Sequence, residues 1–97
     1  MTKRRKEILN KASELIMGDR QADYGEPSQN FANIAKGWSV IFDTDITAAQ
    51  VALAMSWLKI ARVSHKNAAL NKSSLEDGAI DLCGYGALFG ELSLGND

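Results

Sequence analysis

Residues 47–64 read TAAQVALAMSWLKIARVS, and apolar side chains occupy most positions from Val51 to Ile60. Thr47 is followed three residues later by Gln50, which is the spacing of a capping box and predicts that a helix begins here. The apolar residues surround the whole circumference of this helix instead of forming one stripe. Such a helix is expected at the centre of a bundle or at an interface between subunits.

Three further segments show the three-and-four spacing of apolar residues that is typical of helices, and no segment shows a sustained strand alternation. They are predicted to span residues 2–17, 27–42 and about 73–92. Thr2 is the expected N-cap of the first of these helices. The last is expected to start near Ser73 or Ser74, because Ser74 followed by Asp77 resembles a capping pair. Gly78, Gly84 and two more glycines in the last helix predict close approach of another helix, although they could instead break it.

The length and composition are those of one small globular domain, and all four periodic segments have the spacing of helices. We therefore predict an all-α fold, a compact bundle of about four helices in a single domain over residues 1–97, and we expect a homo-oligomer. The net charge is −1, which argues against binding of duplex nucleic acid or of an anionic membrane surface. The single Cys and single His argue against a zinc site, which would have to consist mostly of carboxylates. No apolar run has the length expected of a signal peptide or of a membrane span. A cytoplasmic location is expected.

Two cations emerge late in the apolar helix. Lys59 and Arg62 are three residues apart and therefore share a face. Together they could form a phosphate clamp, because Arg offers a planar fork of donors and Lys a point charge. The alternative is that both reach solvent or pair with acids on a neighbouring helix.

The last helix carries three acids, Glu76, Asp77 and Asp81, in the stretch LEDGAIDLCGY. Asp77, Asp81 and Tyr85 follow one another at intervals of four residues and share a face. Carboxylates on a mostly apolar helix must be paired or bind a cation, and Mg²⁺ bound together with a substrate phosphate would satisfy them. Salt bridges from Asp77 and Asp81 to Lys59 and Arg62 would satisfy them equally well.

The loop between the first two helices, GDRQADYGEPSQNF at residues 18–31, is rich in polar side chains. Asp23, Tyr24 and Asn30 are candidate ligand-binding residues, because loops held by rigid helices often carry function. Tyr24 or Trp38 could stack on a nucleotide base. The alternative is a structural loop in which the aspartates cap turns and Tyr24 covers the core.

The order DRQADYGEPSQNF, WLKIAR and LEDGAIDLCGY resembles a small phage and bacterial family of uncharacterised helical proteins. More distantly it resembles the phage nucleotide-modification-associated domain, and through it the MazG-like nucleotide pyrophosphohydrolases. The resemblance implies a nucleotide ligand and Mg²⁺. The residues that it marks are Asp23, Tyr24, Gly25, Lys59, Arg62, Glu76, Asp77, Asp81 and Tyr85. The E-E-x-x-E run of MazG-like enzymes has no counterpart in this chain.

Three functions are compatible with these patterns. The first is binding of a nucleotide or nucleotide-derived phosphate ligand in a polar pocket between helices or subunits, which could sequester a signal. The second is Mg²⁺-dependent nucleotide pyrophosphohydrolysis, in which Asp77 and Asp81 hold the metal. The third is a protein-interaction module that binds a host factor through the apolar third helix.

Overall fold

The structure is a computed structural model that describes residues 2–18, 26–65, 67 and 70–96. These ranges contain four α-helices, α1 (Thr2–Met17), α2 (Pro27–Phe42), α3 (Ala48–Ser64) and α4 (Lys72–Leu94), and they contain no β-strand. The predicted all-α fold is therefore confirmed. Each described helix falls short of the combination of length and apolarity that a membrane span requires.

The predicted end of α1 is confirmed, but its predicted N-cap is not. Thr2 is already helical and is not the predicted N-cap. The end at Gly18 is as expected, because the Gly18 N–H donates to the Glu14 carbonyl oxygen at 2.8 Å. A Cβ atom at Gly18 would lie 2.5 Å from that same oxygen, so only glycine fits at this position without a shift.

Polar caps delimit α2 and fix its connection to α3. The Glu26 carboxylate accepts a hydrogen bond from the Gln29 N–H at 3.0 Å, immediately before Pro27 opens the helix. Asp43 ends α2 in the left-handed region at φ 50°, which Asp tolerates better than most residues. The Ser39 hydroxyl oxygen accepts from the Ile46 N–H at 2.9 Å, and this bond ties the connection back onto α2.

The predicted capping box of α3 is present. The Thr47 hydroxyl accepts from the Gln50 N–H at 3.1 Å, and the Gln50 side-chain oxygen accepts from the Thr47 N–H at 2.9 Å. Two orphan donors at the start of the helix are thereby satisfied. Val51 and Ala52 follow at once and are fully buried, which places the first turns of α3 in the core.

The fourth helix begins earlier than its sequence predicted. Asn71 is its N-cap, and the Asn71 side-chain oxygen accepts from the Ser74 N–H at 3.0 Å. The prediction of Ser74 as the cap is wrong, because Asn is at least as good a cap and stands three residues earlier. The helix continues through all four of its glycines without a break.

Two of those glycines mark close approaches between helices. A Cβ atom at Gly78 would lie 2.5 Å from the Val63 side chain of α3, and one at Gly84 would lie 3.3 Å from Ile16 of α1. Glycine therefore lets α4 pack directly against both neighbours, as expected for these two positions. Gly86 and Gly90 have no atom within 4 Å of the same point, so close packing does not explain them.

The core between the helices is small. Among the described residues six hydrophobic side chains are buried, namely Ala12, Phe31, Ala35, Val51, Ala52 and Leu88. Half-buried residues from α2, α3 and α4 pack around five of them, including Trp38, Met55 and Phe89. Several large apolar side chains on α2 and α3 remain exposed, so the four helices do not cover all of their apolar surface.

Candidate functional site

A cleft of about 740 Å³ lies where the four helices meet. This volume falls within the range of small-molecule sites. Every helix contributes to the cleft walls, and the lining includes both charged and apolar side chains. The lining residues are Lys11, Leu15, Ile16, Pro27, Asn30, Phe31, Lys59, Arg62, Asp77, Ile80, Asp81, Gly84, Tyr85 and Leu88.

Lys59 and Asp81 form an ion pair inside the cleft. Their charged atoms, Lys59 Nζ and Asp81 Oδ2, are 3.1 Å apart, and the two side chains are only 15% and 26% exposed. Lys59 stands on the side of α3 that packs against α4, which is why it meets an acid of that helix. The pair offsets the cost of removing either charge from water.

Arg62 lines the same cleft one turn further along α3 and remains exposed. Within the described residues its guanidinium has neither a salt bridge nor a hydrogen bond. The salt-bridge interpretation of this region predicted two pairs, from Asp77 and Asp81 to Lys59 and Arg62. Of these two pairs only that between Lys59 and Asp81 is observed, so the N–H donors of the Arg62 guanidinium stay available to a ligand.

A second ion pair joins α1 to α4 at the edge of the cleft. Lys11 Nζ donates a hydrogen bond to Glu76 Oε1. This hydrogen bond, together with the charge of Glu76, raises the pKa of Lys11 above its ordinary value. The same hydrogen bond and the charge of Lys11 lower the pKa of the Glu76 carboxyl. Both groups are therefore held in their charged forms, and Glu76 itself does not line the cleft.

Lys11, Lys59 and Arg62 together are called the cationic rim of the cleft. They come from α1 and α3, and the rim faces two carboxylates of α4, Asp77 and Asp81. An anion that enters would meet three cations, of which two already have a carboxylate partner. A multiply charged anion can bind here if it replaces the carboxylates as the partner of these cations, or if a metal ion bridges the anion and the carboxylates.

Phe31 and Tyr85 line the same cleft and are called its aromatic floor. Their ring centroids are 6.0 Å apart and their planes meet at 29°, a stacked arrangement. Phe31 is buried while Tyr85 is half-buried, so part of the tyrosine surface faces the cleft. Leu15, Ile16 and Leu88 extend the apolar surface around the two rings.

The acids of α4 do not by themselves make a metal site. Among the described residues no group of three or more His, Cys, Asp or Glu side chains could hold a metal ion. Of the three predicted ligands, Glu76 is engaged by Lys11 and Asp81 by Lys59, while Asp77 has no ion pair in the described part of the chain. Mg²⁺ would therefore need oxygen atoms from a bound phosphate in addition to Asp77 and Asp81.

The structure brings most of the predicted ligand-binding residues together. Those that line the cleft are Asn30, Lys59, Arg62, Asp77, Asp81 and Tyr85. Trp38 does not line it and packs against the core instead. Asp23 and Tyr24 fall outside the described residues, so their predicted role stays a prediction.

Sequence reasoning missed Lys11 and Phe31. The apolar spacing alone places Lys11 beside the apolar stripe of α1 and Phe31 within the apolar stripe of α2, so it marks neither as a site residue. The signal for Lys11 was its position at the edge of the apolar stripe, one turn before Leu15, where a long side chain can reach a neighbouring helix. No motif marks Phe31 as part of a ligand site, because its apolar position in α2 is also that of a core residue.

Comparison with known proteins adds a family and two relatives. The chain is 39% identical over 72 residues to the Gene 55 protein of Mycobacterium phage D29, a match that covers 74% of this chain and 46% of the relative. It is 32% identical over 91 residues to the Gene 55 protein of Mycobacterium phage L5, covering 93% of this chain and 54% of the relative. The chain thus spans about half the length of these curated relatives.

No solved structure matches the chain. Neither relative's name states an activity, and the predicted likeness to MazG-like enzymes finds no support among the matches. The family match, in contrast, runs over residues 7–93 and so includes the cationic rim and the aromatic floor. The chain belongs to this phage-type family, which is described as a domain of unknown function, DUF6378.

Proposed function

We propose that this protein binds a nucleotide, or another organic ligand that carries phosphate, in the cleft between its helices. The observation that carries the proposal is that the cationic rim and the aromatic floor line one cleft of about 740 Å³. The rim and the floor match the two parts of a nucleotide, because phosphate groups bind cations and a base stacks on a flat aromatic surface.

The rim supplies the phosphate contacts. Arg62 has no counter-ion among the described residues and offers a fork of N–H donors that fits two phosphate oxygens. Lys59 is more deeply placed, with 15% of its side chain exposed, so a phosphate that reached it would be partly desolvated and held more strongly than at the surface. Phosphate would compete with Asp81 for Lys59.

The floor supplies the contact with the base. Tyr85 is half-buried and stacks on Phe31, so its ring has a defined orientation before any ligand arrives. A ring that is already ordered loses little conformational entropy on binding. Asn30 lies in the same wall and is a side chain able to donate and accept hydrogen bonds with a base edge.

Magnesium fits this proposal as part of the ligand. Asp77 and Asp81 line the cleft, and Mg²⁺ is commonly held by one or two carboxylates together with phosphate oxygens and water. A metal ion between the phosphates and these carboxylates would relieve their mutual repulsion. The protein would then bind the Mg²⁺ complex of a nucleotide more tightly than the free nucleotide.

The test is binding of the intact chain to a panel of nucleoside mono-, di- and triphosphates, each with and without Mg²⁺, by calorimetry. We expect saturable binding with at least one class, weakened about tenfold to a hundredfold in Lys59→Gln and in Arg62→Gln, since a hydrogen bond to a charged group contributes about 1.5–3 kcal/mol. The matched control is Lys36→Gln, which removes an exposed cation of α2 outside the cleft.

Two results would contradict the proposal. One is no binding by any member of the panel, together with no co-purified nucleotide in native mass spectrometry of the protein isolated from cells. The other is binding that Lys59→Gln and Arg62→Gln leave unchanged while Lys36→Gln weakens it. Either result would remove the cleft from consideration as a phosphate site.

Hydrolysis of the nucleotide is a second candidate, favoured by the presence of Asp77 and Asp81 in the same cleft. Chromatography of the ligand recovered from the same samples separates the two functions. Release of pyrophosphate or phosphate that Asp77→Asn abolishes, with the fold preserved, would establish turnover. Recovery of the ligand unchanged is the expected result, because two carboxylates make an incomplete metal site.

The two phage relatives support a biological setting for this proposal. Both are phage proteins, so this proposal assigns the protein to the cytoplasm of the infected host. A binder without turnover would act there by sequestering its ligand, for instance a nucleotide signal. Identification of the co-purified ligand by mass spectrometry would test this directly.

A further inference from the structure

The side of α3 that faces away from the core is apolar. Leu53, Trp57 and Ile60 are 50%, 69% and 38% exposed, and they follow one another at intervals of four and three residues. This spacing puts them in one stripe along the helix, with the exposed residues Ala54 and Ala61 beside it. We call these five residues the outer face of α3.

The end of α2 adds further exposed apolar side chains. Val40, Ile41 and Phe42 are all exposed, and Phe42 retains 63% of its surface. Residues 43–47 connect this end of α2 directly to the first turn of α3. Large apolar side chains on two consecutive helices are therefore left in contact with water, which is unusual for a monomeric domain.

The total exposed surface is larger than that of a typical compact monomer of this mass. The chain exposes 7165 Å², whereas a folded monomer of 10.5 kDa is expected to expose about 5,400 Å². Its radius of gyration is 14.6 Å, against about 12.5 Å expected for a compact domain of this length. The observed 7165 Å² therefore exceeds the expected surface by roughly 1,700 Å², which is more than the approximately 800 Å² that each partner buries in a standard interface.

The absence of charge indicates which partner covers this surface. Residues 48–58, the first eleven of α3, contain no charged side chain. The outer face therefore offers no charges that would bind an oppositely charged partner. An apolar stripe is complementary to a second copy of itself about a two-fold axis, which is the commonest symmetry of oligomers. The four-and-three spacing is also the one that lets two helices interlock side by side.

We infer that two copies of this chain associate through the outer faces of α3. Trp57 lies at the middle of each stripe and becomes buried in the pair. Lys59 stands on the opposite, core-facing side of α3, where it meets Asp81, so the cleft stays open in the dimer. Association and ligand binding are consequently independent properties of the two sides of one helix.

Sedimentation velocity of the intact chain across a dilution series tests this inference. We expect a dimer at micromolar concentrations, and we expect Trp57→Glu to raise the dissociation constant about thirtyfold or more, the usual effect of losing a central aromatic contact. Leu9→Glu is the matched control, because Leu9 is 59% exposed on α1, away from the outer face. It should leave the dimer intact.

Two further measurements make the outcome decisive. Tryptophan emission of the unmodified chain should shift to longer wavelength on dilution, as Trp57 returns to water. Ala61→Arg places a charge at an exposed, small position of the outer face, so it should yield a helical monomer even if Trp57→Glu fails to fold. A monomer at every concentration, or a dimer that survives Ala61→Arg and not Leu9→Glu, would overturn the inference.

Discussion

Replacing Asp81 by Asn should destabilise the protein and at the same time strengthen its binding of phosphate. Asp81→Asn keeps the size of the side chain and removes the charge that pairs with Lys59 at 3.1 Å. The lysine side chain is only 15% exposed, so it would be left largely buried without a counter-ion. Stability and affinity are therefore expected to change in opposite directions.

The magnitude follows from the burial of the pair. Exposed ion pairs contribute about 0–1 kcal/mol, and removal of one partner from a fully buried pair costs about 3–5 kcal/mol. Lys59 and Asp81 are intermediate, so we expect a loss of about 2 kcal/mol in the free energy of unfolding. In a domain of this length that corresponds to a fall in Tm of about 10 °C.

The assay is urea unfolding at one fixed protein concentration, in metal-free buffer, with and without inorganic phosphate. Phosphate no longer competes with a carboxylate for Lys59 in Asp81→Asn, so it should stabilise this variant more than the unmodified chain. Asp77→Asn is the control, because Asp77 lines the same cleft but has no ion pair among the described residues. It should lose little stability.

Two outcomes would refute this reasoning. A loss below about 0.5 kcal/mol in Asp81→Asn would mean that the pair is no more valuable than an exposed one. Equal stabilisation of both variants and of the unmodified chain by phosphate would mean that Lys59 is not part of the anion site. A double-mutant cycle with Lys59→Gln isolates the pairwise interaction in either case.

Three further predictions concern the helices and the second ion pair. In urea unfolding, Gly78→Ala should destabilise the protein by about 1–3 kcal/mol, because the new Cβ would lie 2.5 Å from a methyl group of Val63 in α3. Gly86→Ala has open space at that point and should stabilise the protein by about 0.5–1 kcal/mol, so the opposite order would contradict the packing of α4. Asn71→Ala should cost about 0.5–2 kcal/mol through the lost cap, and Asn71→Ser should restore most of it. The pKa of Glu76 is lowered in the folded state, so its stabilising effect is present above the unfolded-state pKa and is lost as pH falls through the folded-state value. Both Glu76→Gln and Lys11→Gln should therefore weaken the dependence of Tm on pH at low pH. If this dependence is unchanged in both variants, the pair of Lys11 and Glu76 contributes nothing to stability.

Local sequence patterns were sufficient to predict the helices. The extents of α1, α2 and α3 agree with their apolar spacing, and the capping box at Thr47 and Gln50 closes as expected. These features depend on residues three or four positions apart, which the sequence displays directly. The start of α4 was misjudged because Asn71 and Ser74 are both good caps, and sequence alone does not rank them.

The candidate site was predicted only in part. Lys59, Arg62 and Asp81 stood out because charges on apolar helices need an explanation, and all three line the cleft. Lys11 was missed because its partner, Glu76, is 65 residues away. Trp38 was expected beside the ligand and packs against the core instead, because helical spacing shows which residues share a face but not which neighbour that face meets.

The sequence by itself determined four helices, an unusually apolar third helix and cations separated by one turn, since each is a property of local spacing and composition. Tertiary structure decided which charges pair, where α4 approaches its neighbours through Gly78 and Gly84, and which side of α3 remains uncovered. The physical reason is that a helix of this composition has several surfaces suited to burial. Only packing against the other three helices buries the side of α3 that holds Val51 and leaves the side with Trp57 uncovered by its own chain.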